Sequence, residues 1–556
     1  MKLKKCVAAI CAALMAVTGL GGCGNQSSKT ITEIEFANYQ GCSGDVWIKQ
    51  AAARFEALKA TESYETGKTG VRINVSNVKQ IPYTSLNSEG YDIYIGENKA
   101  NIYEMASSGF LLDLGEVVSG IKDRINPDAI KRIKGADGNY YGLPHYEWYT
   151  GVSYDQDFFK EANLYLAAPD ALSRTVRSKF GEIKFVRSAN ERKSCGPDGE
   201  YGTSDDGLPS SLQEFIMLLS AIKTEGGRSP IIMSGACIDY AFFLVDGIWA
   251  ALAGKDQIKT IYSLNSNGQK IVEVVTGYTE DDLFYDGSGL KKSTTEMIAI
   301  DESNGYKIYD MASRYYALCA LELIYKEGWF EESFFKSSTK TNVQAQYSFI
   351  NEAKAGILYD ASFWCSEAVR NGNFETYFRQ HPGEEERNVS FMPLPTTLEG
   401  SVEEGQGKKQ ALLDVGASQL FVSKRVENNE GKKKAVMDFL KFLYSDAELA
   451  AFTETTGLKI PISYEYDGTK LNDYFSKLTK YVEESEVVYF ASDSTIVNKN
   501  LESFALTWSG PINRPRYGND EISKGFLEAM KNYGYTARDI FENTKKSESG
   551  WANLQK

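Results

Sequence analysis

Residues 31–39, ITEIEFANY, begin the stretch of sequence that decides the fold. Ile34 and Phe36 recur with a period of two, which predicts a β-strand with one apolar face. A turn at 41–44 follows, and Asp45 can cap the helix that comes next. The apolar stripe of that helix is formed by Trp47, Ala51, Phe55 and Leu58.

Two further strands are predicted at 71–78 and 91–95, and a helix is predicted from about 98 to 108. Strands that alternate with helices in this way predict an α/β lobe with a mostly parallel sheet. Ligands of such sheets bind beyond the carboxyl ends of the strands. We therefore expect the loop at 39–45 to lie near a ligand-binding cleft.

The later chain continues this pattern of elements. Amphipathic helices are predicted at 212–223, 312–326 and 432–452. The segments 165–210 and 398–410 are polar and rich in glycine, serine and charge, and they predict loops or insertions.

The first 23 residues have the composition of a bacterial export signal. A basic start precedes an apolar run from Cys6 to Leu20, which is shorter than the about 20 apolar residues of a membrane-spanning helix. Cys23 follows Leu-Gly-Gly and resembles the lipobox of bacterial lipoproteins, which implies lipidation of Cys23 and removal of residues 1–22. An ordinary secretory signal is the alternative. We expect residues 23–30 to be a tether that holds the protein on the outer face of the cytoplasmic membrane.

The composition is that of a globular protein, with 42% hydrophobic and 24% charged residues. A length of 556 residues predicts two to four domains or two large lobes. The net charge of −14 argues against a nucleic-acid partner, because affinity for phosphates depends on Lys and Arg. The 34 Tyr, 28 Phe and 7 Trp offer flat amphipathic surfaces suited to sugar rings, although packing explains most of them.

The cysteine and histidine residues indicate neither a zinc site nor a catalytic site. There is no CxxC spacing, which argues against zinc, and the only histidines are His145 and His381, neither of them in a motif. We therefore predict no catalytic residue. An odd number of cysteines after Cys23 leaves at least one thiol free, and we expect most of the five to be buried single thiols: Cys42, Cys195, Cys237, Cys319 and Cys365.

Seven segments carry a family resemblance when they are taken in order. They are GFLLDL (109–114), DGNYYGLP (137–144), GVSYDQDFFKEA (151–162), LPSSLQEF (208–215), AGILYDASFW (355–364), FMPLP (391–395) and the stretch 435–461. The series, which covers roughly residues 31–465, resembles the extracellular solute-binding proteins of family 1. These are maltose-binding-like receptors that serve carbohydrate ABC importers.

The resemblance implies a two-lobed α/β fold of the type II periplasmic-binding class, with the ligand held between the lobes. Lobe 1 would comprise 31–147 and 410–460, and lobe 2 would comprise 148–395 and 461–556, with 396–409 as a polar connection. Hinge closure around the ligand would create the shape that the importer recognises. Such a receptor needs no catalytic group.

The candidate ligand-binding residues come from this resemblance. Trp364 is expected against a sugar ring, and Asp360 is expected to accept hydrogen bonds from sugar hydroxyls. Tyr146, Glu147 and Trp148 follow the segment that enters the lobe junction. Packing in the core or at the hinge is the alternative for each of them.

Further candidates lie on either side of the first strand–helix turn and on later segments. Tyr39, Gln40 and Trp47 flank that turn, with core packing as the stronger alternative for Trp47. Trp249 and Trp508 are weaker candidates, and Trp508 precedes a Ser-Gly-Pro loop.

Residues 196–207, GPDGEYGTSDDG, place four acidic side chains among four glycines. Oxygen-rich turns suit Ca²⁺, so we predict a structural calcium site formed by Asp198, Glu200, Asp205 and Asp206. The loop is not an EF-hand, because Gly202 takes a ligand position and the closing glutamate is missing. A solvated acidic turn is the alternative.

The sequence therefore predicts a lipid-anchored, monomeric receptor that delivers a carbohydrate, most specifically an oligosaccharide, to the permease subunits of an ABC importer. No cofactor is required. One alternative is the same fold with a peptide or another organic solute as ligand. Another is an exported carbohydrate-active hydrolase, which would need two carboxylates at a defined separation.

Overall fold

A computed structural model describes residues 30–79, 81–97, 101–284, 289–384, 387–414, 418–501, 516–517, 520–521 and 525–556. The predicted signal, Cys23, most of the tether and Trp508 lie outside the described residues. Among the helices that are described, none combines the length and apolar character needed to cross a membrane.

The strands, numbered in chain order, are β1 (Thr32–Tyr39), β2 (Val71–Val78), β3 (Ile93–Glu97), β4 (Gly142–Pro144), β5 (Val152–Asp155), β6 (Ser173–Ser178), β7 (Gly181–Val186), β8 (Ser229–Ile232), β9 (Val272–Asp282), β10 (Lys291–Ile298), β11 (Ala355–Leu358), β12 (Val389–Met392), β13 (Ala411–Asp414), β14 (Ser418–Val422), β15 (Glu486–Tyr489), β16 (Arg516–Tyr517) and β17 (Asp520–Glu521).

The α-helices are α1 (Val46–Leu58), α2 (Ile102–Ser107), α3 (Gly115–Ser119), α4 (Gln156–Glu161), α5 (Leu212–Thr224), α6 (Phe242–Ser263), α7 (Ala312–Lys326), α8 (Glu332–Phe335), α9 (Asn342–Asn351), α10 (Trp364–Arg370), α11 (Asn373–Gln380), α12 (Glu430–Leu443), α13 (Asp446–Thr456), α14 (Asp473–Glu484), α15 (Thr495–Lys499), α16 (Gly525–Tyr533), α17 (Ala537–Asn543) and α18 (Glu548–Leu554).

The chain divides into two compact units. Unit 1 comprises Met1–Glu147 and Gly416–Ser476, and unit 2 comprises Trp148–Val415 and Lys477–Lys556. The first boundary lies where the lobe boundary was expected, after residue 147, and the other two lie further along the chain than expected. The polar segment 396–409 belongs to unit 2.

Strand pairing explains the two displaced boundaries. Residues Ala411–Asp414 pair in parallel with Glu486–Tyr489, which keeps β13 in unit 2. Beyond residue 460, Ile462 forms a bridge with Ile125 and the Ser463 N–H donates to the Arg124 carbonyl, which keeps this segment in unit 1.

Unit 1 is built on a five-stranded sheet in the order β2-β1-β3-β14-β4. Strands β1, β2 and β3 are parallel, with Thr32 opposite Val71 and Tyr39 opposite Val78, as the sequence pattern predicted. Strand β14 is antiparallel to its neighbours β3 and β4.

Helix α1 covers one face of this sheet and buries Trp47, Ala51 and Phe55, as expected. Two details of the prediction are wrong. Leu58, the last residue of the helix, is 65% exposed. Asp45 does not cap the helix; its carboxylate instead binds Lys49 and Asn77.

Unit 2 contains a four-stranded sheet in the order β12-β5-β11-β8. Strands β8 and β11 are parallel, and β5 runs antiparallel to both of its neighbours. The buried faces of α5, α6 and α7 supply much of the unit's core.

Two expectations for the later chain need correction. The helix expected over 432–452 is two helices, α12 and α13. They are separate because the backbone at Ser445 is extended and not helical. The segment 165–210, expected to be loop, contains the hairpin β6–β7, whose register runs from Ser173 opposite Val186 to Ser178 opposite Gly181.

Candidate functional site

Each unit presents the carboxyl ends of its parallel strands at one edge of its sheet. In unit 1 this edge is formed by the ends of β1, β2, β3 and β4, and in unit 2 by the ends of β8 and β11. Ligands of open α/β sheets bind beyond such edges. These two edges are therefore the candidate ligand-binding surfaces.

The loop after β1 is held by an asparagine pair. Asn38 is buried, and its Nδ2 donates to the Gly44 carbonyl at 3.2 Å and to Asn77 Oδ1 at 3.1 Å. Asn77, which lies opposite Asn38 in the sheet, donates in turn to Asp45 Oδ2 at 2.7 Å. These bonds fix the loop expected near the ligand, although the sequence analysis did not single out either asparagine.

Tyr39 and Gln40 retain accessible surface on this loop. Tyr39 is half-buried and Gln40 is exposed. The Tyr39 ring lies over Gly41, where an added Cβ would stand only 2.2 Å from Tyr39 Cε1, so the ring position requires glycine there. Both residues are placed where a ligand at the edge of the unit 1 sheet could reach them.

Trp47 belongs to the core of unit 1. Its Nε1 donates to the Glu448 carbonyl at 3.2 Å, and its ring contacts Phe452 at a centroid distance of 5.0 Å. Only 5% of the residue is exposed. Trp47 therefore takes the alternative packing role.

His145, at the end of β4, is a residue that the sequence analysis set aside. It is buried; its Nδ1 lies 2.8 Å from Ser418 Oγ, and its Nε2 has no hydrogen-bond partner within the described chain. Burial lowers the pKa of His145 to about 3, so the ring is neutral at pH 7.

An aromatic cavity of about 390 Å³ is lined by residues of β1, of the end of β2 and of the segment that leads from β2 into β3. The Tyr91 and Tyr94 rings meet there edge to face at 5.9 Å, and Glu89 supplies a carboxylate. The remaining lining residues are Ala37, Val78, Ile81 and Pro82. Rings beside one hydrogen-bond acceptor form the kind of lining that a saccharide can use.

The expected triplet Tyr146, Glu147 and Trp148 is divided between the units. Tyr146 and Glu147 are buried in unit 1, where the Glu147 N–H donates to the Lys459 carbonyl at 2.8 Å. Trp148 begins unit 2, and its N–H donates to Asp414 Oδ1 at 3.2 Å.

Trp148 is part of an aromatic cluster at the carboxyl edge of the unit 2 sheet. Its ring meets Phe243 at 5.6 Å and Phe363 at 5.4 Å, and Tyr240 meets Phe243 at 5.0 Å. Of these four rings only that of Tyr240 belongs to a half-exposed residue. Tyr240 is thus the member that a ligand can touch, and the sequence analysis did not single it out.

Trp364 does not line this edge. It has no exposed surface, its Nε1 donates to Ser153 Oγ at 2.8 Å, and its ring packs against Phe349 and Phe374. A side chain enclosed in this way cannot stack on a sugar, so the structure favours the core alternative for Trp364.

Asp360 also differs from its expected role. It is buried, and it accepts hydrogen bonds from Gln346 Nε2 at 3.0 Å and from the Ala361 N–H at 2.9 Å. Burial, reinforced by the charge of Glu367, raises the pKa of Asp360 well above its usual range. It is therefore not a charged acceptor open to a ligand.

Trp249 lies within α6 and is 2% exposed. Its Nε1 has no hydrogen-bond partner in the part of the chain that the structure describes. Its position agrees with core packing and not with ligand contact.

The acidic loop 196–207 uses its carboxylates to hold its own backbone. Asp205 accepts from the Asp198 N–H and from Thr203 Oγ1, Asp206 accepts from the Gly202 N–H, and Asp198 accepts from the Glu200 N–H. Within the described residues, no group of three or more His, Cys, Asp or Glu side chains is arranged to hold a metal ion. The residues do not form an oxygen cage in this conformation, and calcium binding stays a prediction that chelation and a thermal melt can test.

Asp205 should give unit 2 a pH-dependent stability when the protein is held in chelator. Burial, together with the charge of Asp198, raises the pKa of Asp205 from 3.8 to about 7. Between these values the folded state keeps a proton that the unfolded state has lost, so stability should fall as the pH rises from about 4 to 7 and then level out.

The substitution D205N should reduce this slope, because the amide cannot ionise, and Asp198 and Asp206, whose pKa values burial also raises, should account for what is left of it. The measurement is the Tm of both proteins between pH 4 and 8, with D170N at an exposed position as control. An unchanged slope in D205N would contradict the assignment to Asp205.

Solved structures with this arrangement of elements are solute-binding proteins. A chitin oligosaccharide binding protein matches with a TM-score of 0.55 at 14% identity, over 94% of this chain and 100% of that chain. A binding protein of an ABC transporter from Bifidobacterium animalis subsp. lactis ATCC27673, in complex with mannobiose, matches with a TM-score of 0.54 at 16% identity, over 94% of both chains. The protein SBP RafE in complex with raffinose matches with a TM-score of 0.51 at 13% identity, over 95% of this chain and 100% of that chain.

The chain has the fold of a solute-binding protein. This confirms the predicted α/β fold class. No family model and no curated protein sequence matches the chain. Membership of family 1 therefore stays a prediction.

Proposed function

We propose that this protein is a receptor that binds a carbohydrate, specifically an oligosaccharide, and delivers it to an ABC importer by hinge closure. The observation that carries the proposal is the solute-binding-protein fold, whose matched structures are named for chitin oligosaccharide, mannobiose and raffinose. Tyr39 in unit 1 and Tyr240 in unit 2, both half-buried, support it, since sugar rings pack on such side chains.

We also propose that Cys23 carries a lipid anchor and that the importer's permease subunits are the protein partners. Both follow from the sequence. Replacement of Cys23 should release a protein that still binds its ligand but serves uptake poorly, and undiminished uptake by the released form would contradict the anchor.

A thermal-shift screen of the purified protein against oligosaccharides and peptides tests the ligand class. A ligand that binds only the folded state raises the Tm in proportion to the logarithm of its concentration. We expect a rise with one or more oligosaccharides, and mass spectrometry should recover the sugar intact. A response to peptides alone would favour the other solute class, and cleaved sugar would favour a hydrolase.

Tyr240→Ala should weaken binding of the oligosaccharide found in that screen by roughly 2- to 12-fold, since one stacked aromatic ring contributes about 0.5–1.5 kcal/mol. Stability should change little, because Tyr240 is half-exposed. Titration calorimetry measures the affinity, with Tyr533→Ala, which is 50% exposed, as control. Equal affinity in both variants would remove Tyr240 from the site.

A further inference from the structure

A second cavity, of about 230 Å³, lies in unit 2 and is polar. It adjoins α4, which follows β5, and Asn388, which precedes β12. Because β5 is antiparallel to β11 and β12, these positions lie at the edge of the sheet opposite to the carboxyl ends of β8 and β11. The cavity is therefore separate from the candidate sugar-binding edge of unit 2.

Two lysine side chains line this cavity, Lys160 from α4 and Lys193 from the segment after β7. Lys193 is held in place: its Nζ lies 3.5 Å from the centroid of the Tyr165 ring. Its stem packs against Gly207, where an added Cβ would stand 3.0 Å from Lys193 Cδ. The ammonium group is thus positioned by its surroundings before any ligand arrives.

Among the described residues, neither Lys160 nor Lys193 forms a salt bridge. Burial lowers the pKa of Lys193, the charge of Asp206 opposes this effect, and the charge of Lys160 makes a smaller contribution that lowers the pKa. Two like charges that face one cavity favour an anion between them.

Neutral donors complete the lining. Lys477 Nζ binds Asn388 Oδ1, and because lysine can only donate, this contact leaves the Asn388 Nδ2 group as a donor. Gln156, whose Nε2 group also donates to Tyr154 Oη at 2.9 Å, and Asn163 line the cavity as well. Amide donors beside ammonium groups suit a ligand with several acceptor oxygens.

One carboxylate, that of Asp157, also lines the cavity. Its Oδ2 accepts a hydrogen bond from the Asn388 N–H at 2.9 Å, so this oxygen is engaged with the backbone. Asp157 offsets one of the two lysine charges, so the lining keeps a net positive charge that favours an anion.

We propose that this cavity is a binding site for a phosphate monoanion or dianion, either inorganic phosphate or the phosphoryl group of a phosphorylated sugar. A phosphate monoester carries about −1.5 to −2 charges at pH 7 and has three strong acceptor oxygens, which can accept hydrogen bonds from both ammonium groups and from their amide neighbours. This inference does not rest on the proposed sugar receptor function.

The test is titration calorimetry of the full-length protein with inorganic phosphate, glucose 6-phosphate and glucose. We expect saturable binding of both phosphates at low salt, and binding at least tenfold weaker in the double variant K160Q/K193Q. Tighter binding of glucose 6-phosphate than of phosphate would assign the site to a phosphorylated sugar, and equal binding would assign it to free phosphate.

The variant K184Q is the matched control for the single variants K160Q and K193Q, because Lys184 is exposed on β7 and each of the three substitutions removes one positive charge. Circular dichroism melts verify that all variants are folded, and K193Q and K160Q alone replace the double variant if it is not. The proposal is overturned if the wild-type protein binds neither phosphate, or if the lysine variants bind both as tightly as K184Q does.

Discussion

Replacement of Asp155 with alanine should lower the free energy of unfolding of unit 2 by about 3–5 kcal/mol, the largest effect expected for a polar substitution in this chain. Asp155 ends β5 and has no exposed surface. Its Oδ2 accepts hydrogen bonds from Arg228 Nη1 at 2.7 Å and from Arg387 Nε at 3.1 Å, and the Arg387 Nη2 group also binds it.

The loss should be large because both guanidinium groups would keep their charge after losing the carboxylate that compensates it. The side chains of Arg228 and Arg387 are 20% and 11% exposed, so water could solvate them only in part. Asp155 Oδ1 also accepts from the Phe158 N–H at 3.1 Å and so caps α4, a contact that the alanine would remove as well.

Urea denaturation followed by tryptophan fluorescence measures the effect. The control is Asp170→Ala, which removes a carboxylate that is 69% exposed and pairs with Arg192 at 3.3 Å. That change should cost less than about 1 kcal/mol. If Asp155→Ala does not fold, Asp155→Asn retains the shape and should show the same direction of change. Equal stabilities of the Asp155 and Asp170 variants would contradict the role of the buried pair.

Trp364→Ala should destabilise unit 2 by about 3–5 kcal/mol, as expected for an enclosed tryptophan. The substitution would open a cavity beside Phe349 and Phe374 and would remove the hydrogen bond from Trp364 Nε1 to Ser153 Oγ. Trp364→Phe keeps most of the packing and should recover much of the stability.

The same pair of variants separates a packing role from ligand contact. Trp364→Phe should bind the sugar found in the thermal-shift screen with unchanged affinity. A folded, stable Trp364→Phe protein that had lost sugar binding would restore Trp364 to the site.

The spacing of apolar residues in the sequence was sufficient to predict the first strands and the first helix. Apolar residues at Ile34 and Phe36, and at Trp47, Ala51 and Phe55, are local signals with periods of two and 3.6, and each lies in an element of the expected type. The break between the two helices at Ser445 was missed because the helical spacing of apolar residues continues through 432–452. That spacing does not reveal the single residue at which the backbone becomes extended.

The site residues were harder to predict because their surroundings come from distant parts of the chain. Trp364 donates to Ser153, and Trp148 contacts Phe243 and Phe363. These residues are far apart in the sequence, so the spacing of neighbouring residues does not predict their contacts. A tryptophan looks the same in a sequence whether its face meets a sugar or Phe374. Nothing in the sequence other than residue type marked Tyr240 or the asparagine pair as candidates for the site.

The position of β14 within the unit 1 sheet has a consequence for synthesis. It pairs with β3 on one side and β4 on the other, and Phe421 stacks on Tyr94 at 5.5 Å. A ribosome makes β14 about 320 residues after β3, a delay of roughly 15–65 s at usual elongation rates. Until then the first three strands have an open edge, so unit 1 cannot complete its sheet before the whole intervening part of unit 2 has been translated.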